Sequence, residues 1–160
     1  MADDAGSVSP PTAAALATTG FAALAIAAFG VTSTLFDVEV IATPGLGNLP
    51  GAAGMALSVL AVGVTAWAGL RRPQPSYAVA VAAAVAAVLA YLVGVLIGAV
   101  VAGVDPVRAV AAVGGFVTSW FAVLLAAIAA IAGWVGVALV RTRAHRPRWP
   151  WERDDPDADE

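Results

Sequence analysis

Long uncharged stretches alternate with short polar breaks along this chain. No charged residue occurs from Ala13 to Phe36, Ala52 to Leu70, Tyr77 to Gly103 or Ala109 to Val140. At about 1.5 Å per helical residue, even the shortest of these reaches about 28 Å, close to the roughly 30 Å of a bilayer hydrocarbon core. The pattern predicts four membrane-spanning helices, at 13–36, 52–70, 77–103 and 109–140. Barrel strands are excluded, because they need only about 9–11 residues and alternate apolar with polar positions. A lone apolar segment in lipid must also satisfy its backbone hydrogen bonds internally, which a helix does.

The breaks are built from helix stoppers. Residues 1–12 hold two Asp and two Pro and read as a flexible terminus. They lack a basic stretch before the first apolar run, so a cleavable signal peptide is not expected. Residues 37–51 (DVEVIATPGLGNLPG) read as a loop. Arg71-Arg72-Pro73-Gln74-Pro75 ends the second span. Asp105 is placed to cap a helix that Pro106 opens. The fourth run is longer than one crossing requires, since Trp120 precedes Arg141 by about 31 Å of helix. We read it as one long tilted helix with Trp120 buried against its neighbours. The alternative is a bend at Gly114-Gly115 that leaves Trp120 at the interface.

Composition sharpens the class. Apolar residues make up 61% of the chain and charged ones 12%, about half the charge of a soluble domain. So little polar surface cannot cover a soluble globule, and the expected fold is an all-α, integral membrane four-helix bundle with flexible termini. The eight basic residues are all Arg. With the N-terminus inside, seven of them lie on inner segments and only Arg108 lies outside. That bias predicts a multi-pass cell-membrane protein with both termini cytoplasmic.

The candidate chemistry is sparse. Cys is absent and His145 is the single His, so no thiolate or His-cluster metal site is available. No cofactor and no metal are expected. The spans hold no ionisable side chain, which argues against proton-coupled transport, pumping and intramembrane proteolysis. Asp37 and Glu39 have no converging base and read as solvated loop charge. TPGLGNLPG lacks the Lys and the spacing of a phosphate loop. Thr18, Thr19, Thr32, Ser33, Thr34, Ser58, Thr65, Thr118 and Ser119 are expected to bond back to the preceding turn or across a helix pair. Thr32-Ser33-Thr34 could instead line a polar cavity.

Two features point to packing and anchoring. Gly94 and Gly98 form a GxxxG, a device for close helix approach. With 16 Gly in 160 residues, such a pair also arises by chance, and we read it as packing within one chain, with dimerisation as the alternative. The second feature is the tail, residues 141–160. Arg141, Arg143, Arg146 and Arg148 are followed by Trp149 and Trp151. Each Arg near an anionic leaflet contributes about 1 kcal/mol, and Trp favours the interface. After Trp151 the tail is acidic and should point away from the membrane. A peptide of residues 141–153 is therefore expected to bind anionic vesicles and to detach as salt rises. Salt-independent binding to neutral vesicles would remove the electrostatic basis. The expected partners are anionic inner-leaflet lipids and a membrane-protein subunit or second copy; nucleic acid is not expected.

Four spans with both termini inside, the loop LFDVEVIATPGLGNLPG and the ending WPWERDDPD resemble small four-helix membrane proteins of actinobacteria grouped as a domain of unknown function. The resemblance implies no activity and no functional residue. The sequence therefore predicts a non-enzymatic structural or accessory subunit of a membrane complex. The alternative is a small transport or channel component acting as an oligomer.

Overall fold

The structure, a computed structural model, describes residues 8–41 and 45–141. Five helices follow one another: α1 (Pro10–Phe36), α2 (Leu49–Leu70), α3 (Ala78–Val101), α4 (Pro106–Val117) and α5 (Trp120–Arg141). All except α4 are long and apolar enough to cross a membrane.

Each boundary has a local cause. The first helix starts earlier than the charge pattern implied, so residues 10–12 belong to it and not to a flexible arm. Ser9 caps it by accepting from the Thr12 N–H, and Pro10 and Pro11 fill positions whose N–H groups need no helical partner. The third helix ends where Gly103 adopts φ +69, a left-handed turn that costs glycine little. This lets the Val104 N–H bond to the Ala99 carbonyl and the Gly103 N–H to the Val100 carbonyl. Asp105 then caps α4, accepting from the N–H groups of Val107 and Arg108 at 2.9 and 3.3 Å.

The expected fourth span is two helices, so the architecture has five helices and not four. The break is not at Gly114-Gly115, which stay helical, but at Thr118 and Ser119. The reason is competition for carbonyls. The Thr118 hydroxyl donates to the carbonyls of Gly114 and Gly115, and the Ser119 hydroxyl donates to that of Phe116 at 2.7 Å. The Thr118 and Ser119 N–H groups also turn to Phe116. The carbonyl that would continue the helix is thus occupied by a tighter local turn. Trp120 just after the break is 77% exposed, not buried as the single-helix reading required.

Packing runs around a ring: α2 on α3, α3 on α5, α5 on α1 and α1 on α2. The fourth position is shared, with α5 filling most of it from the terminal end and the shorter α4 the part near the loops. The buried positions of α1 fall at Ala13, Ala17, Phe21, Ala25 and Phe29, and those of α2 at Pro50, Gly54, Ser58, Val62 and Ala66. Spacing of four with small residues lets backbones approach closely. The large aliphatics point the other way: Leu24, Ile26, Leu60, Val64, Val81 and Leu89 are all exposed. So continuous an apolar outer surface is the reverse of a water-soluble bundle.

Two contacts fix the relative heights of α3 and α5. Gly133 faces Ala80, where a Cβ would lie 2.9 Å from the Ala80 Cα, and Tyr77 stacks on Trp134 at 6.2 Å. From that level, Tyr91 on α3 and Phe121 on α5 both stand about 16–18 Å further along. The α4–α5 break therefore lies on the loop side of the bundle's middle, level with Phe29 of α1. Four aromatic rings converge there. Phe29 of α1 meets Phe121 of α5 edge-on at 5.2 Å and Tyr91 of α3 at 6.3 Å, and Tyr91 stacks on Phe116 of α4 at 4.1 Å. Such pairs add about 0.5–1.5 kcal/mol each beyond simple burial.

Candidate functional site

Above the aromatic cluster, towards the loop end, the bundle is incomplete. The α4 helix packs on α3 and α5 and meets α1 through the Phe116–Phe29 pair at 6.5 Å, without close approach of the two backbones. The gap is a groove of about 900 Å³. Its walls include Phe36, Ala112, Gly115, Phe116, Trp120 and Leu124, with the polar side chains of Thr32, Thr118, Ser119 and Glu39. Its size falls at the upper end of the roughly 300–1,000 Å³ common for small-molecule sites. The broken helix borders it directly.

A second cavity of about 550 Å³ lies between the end of α1, the following loop and the start of α2. Ser33, Glu39, Asn48 and Tyr91 bring polar atoms to it. The loop closes over the bundle by inserting Leu46, which is buried in the aromatic core cluster. Glu39 and Val40 line both cavities. Tyr91 is 1% exposed, and its hydroxyl end lies beside Gly51.

The polar side chains of the helices mostly serve the backbone. Thr18, Thr34 and Thr65 donate to the carbonyls of Ala14, Gly30 and Ala61 within their own helices. Ser58 is buried and donates across to Ala87 of α3 at 2.8 Å, joining α2 to α3. Within the triplet Thr32-Ser33-Thr34 the roles divide. Ser33 donates to the Val38 carbonyl at 2.6 Å and fixes the turn after α1, while Thr32 lines the groove. Among the described residues no group of His, Asp or Glu could hold a metal ion.

The two predicted packing glycines lie together on α3 against α2. A Cβ on Gly94 would stand 2.6 Å from the Ala53 carbonyl oxygen and 2.6 Å from the Gly54 Cα; one on Gly98 would stand 2.6 Å from the Pro50 Cα. The neighbours are backbone and cannot swing aside. The small strip does not extend as far as its spacing suggests, because Ala102 is exposed. Of the predicted anchoring residues, Arg141 ends α5 and holds its guanidinium over the Tyr77 ring at 5.3 Å. Arg71 likewise covers Trp67 at 4.9 Å. Arg143, Arg146, Arg148, Trp149 and Trp151 lie outside the described residues.

Sequence reasoning missed the groove and the role of Glu39. The one available signal was the excess length of the fourth apolar run, which had to be broken or to overhang.

Comparison with known protein families then places the chain. A family of unknown function, DUF6121, matches residues 10–159. The chain belongs to this family. No curated protein and no solved structure matches it. The DUF6121 match takes in all five helices, both cavities and the Arg/Trp segment of the tail.

Proposed function

We propose that this DUF6121 protein is a non-enzymatic, multi-pass protein of the cell membrane with both termini cytoplasmic, serving as a structural or accessory subunit of a membrane complex. The observation that carries the reading is the outer surface of the long helices: it is lined by large aliphatics such as Leu24, Ile26, Leu60, Val64, Leu89 and Ile131, while alanine and glycine fill much of the interior. Hydrocarbon is the solvent that accepts such a surface. The aromatic–Arg pairs Trp67–Arg71 and Tyr77–Arg141 collect at the terminal end, as expected of side chains at an inner headgroup level. Ser58 is the buried polar side chain of the core, and its hydroxyl is bonded to Ala87. That sealed interior favours a packing role over a path for solute through one chain.

One observation favours a second reading, a small transport or channel component acting as an oligomer. Broken helices border substrate sites in several transporter folds, and the α4–α5 break borders a groove here.

Cysteine labelling tests the topology. In a chain without native Cys, Asn48→Cys is expected to react with an impermeant thiol reagent in intact cells, and Gln74→Cys to react only after lysis. The opposite pattern overturns the orientation. Copurification in mild detergent tests the role. A stoichiometric heteromeric partner is the expected result. A homo-oligomer that conducts solute in vesicles supports the second reading instead.

A further inference from the structure

The groove and the cleft differ in character and meet at one carboxylate. Along the α4–α5 break the wall is apolar, formed by Phe36, Ala112, Phe116, Trp120 and Leu124. Its lining residues Phe36, Ala111, Gly115 and Trp120 are exposed, so this groove opens sideways, onto the surface that faces lipid in the membrane reading. The cleft beyond Glu39 is polar in its chemistry. Ser33, Asn48 and Tyr91 line it.

The charges around the cleft are paired in sign but differ in position. Glu39 stands between the two cavities. Asp105 is engaged in capping α4. Arg108 brings its guanidinium to the far side, where a Cβ on the cleft-lining Gly45 would lie 3.5 Å from Nη1. A head carrying one cation and one anion complements this pair, and a long chain complements the groove.

We propose that the two cavities form one site for a phospholipid whose head bears both a primary ammonium and a phosphate. The chain lies along the α4–α5 break, the ammonium donates to the Glu39 carboxylate, and the phosphate faces Arg108 and the Tyr91 hydroxyl. The site rests on the membrane reading above, and it gives the break between α4 and α5 a purpose beyond packing.

Gly115 offers a way to block the chain without harming the fold. It lines the groove, and a Cβ there meets nothing within 4 Å. The test is native mass spectrometry of the full chain released from nanodiscs. The discs contain lipids with identical chains and phosphoethanolamine, phosphocholine or phosphoglycerol heads. Wild type is expected to retain phosphoethanolamine lipid about tenfold over phosphoglycerol lipid, the value of one charge-assisted hydrogen bond. Glu39→Gln should abolish that preference while one lipid still binds. Gly115→Leu should abolish retention of every lipid at an unchanged melting temperature. Should Gly115→Leu not fold, Ala111→Leu, on an exposed groove position, serves in its place. Equal retention of all three heads by wild type, or full retention by the groove-filled variant, overturns the site. Failure of the chain to enter nanodiscs at all overturns the membrane reading itself, so the two failures are distinct.

Discussion

Gly98→Leu is expected to lower the melting temperature of the detergent-solubilised protein by the same amount at every protein concentration. The added side chain would enter a seam where the nearest atoms are the Pro50 Cα, the Ala53 Cβ and the Leu49 carbonyl oxygen, at 2.6, 3.0 and 3.1 Å from its Cβ. Two of these are backbone, so α2 must move away from α3. In lipid no hydrophobic effect holds two helices together, and their attraction comes from close van der Waals contact. Separating the axes therefore forfeits many small contacts at once. Overpacking of this kind costs about 1–3 kcal/mol and occasionally more. Gly94→Leu should cost more still, because all three of its nearest atoms are α2 backbone, within 2.8 Å. Gly114→Leu is the control, since a Cβ there meets nothing within 4 Å. A concentration-dependent shift in Gly98→Leu, with the monomer still folded, would instead place this strip between chains.

Phe116→Ala should be the most damaging single truncation in α4. Phe116 is buried, stacks on Tyr91 at 4.1 Å and lies 6.5 Å from Phe29. The other buried residues of α4 are Ala109 and Ala112, which have little to contribute. Removing the ring leaves α4 without its anchor and opens a void between Tyr91 and Phe29. Large-to-small changes of a buried Phe cost about 3–5 kcal/mol. The loss should be local in its first effect. Amide exchange across residues 106–117 is expected to speed up well before that of α2 and α3, with Phe116→Leu intermediate. Uniform acceleration along the whole chain would mean that α4 is not a separable unit.

Parts of this architecture were legible because they depend on residues taken one at a time. Asp105 with Pro106 marked the start of α4, since capping is a contact within one turn. Thr18, Thr34 and Thr65 bond to their own helices as expected, for the same local reason. The α4–α5 break was harder. Gly114-Gly115 looked like the weak point, yet glycine only permits a bend. At Thr118 and Ser119 the hydroxyls and N–H groups instead satisfy carbonyls in a way that replaces the helical bonds. The site was harder again. Glu39 has no neighbour in sequence that marks it, and its place between two cavities depends on α1, α4, α5 and the loop together.

The sequence by itself determined that this DUF6121 chain has four helices long and apolar enough to cross a membrane, because hydropathy summed over about twenty residues does not depend on what packs against what. It could not say which side of each helix faces inward. These helices are apolar all round, so they carry almost no amphipathic signal. Only the tertiary structure decided that, through steric fit: glycine and alanine where backbones meet, aromatics where a wider gap has to be filled. It also decided that α4 leans on α3 and meets α1 through Phe116 and Phe29 beside an open groove, which is a relation among three segments far apart in the chain.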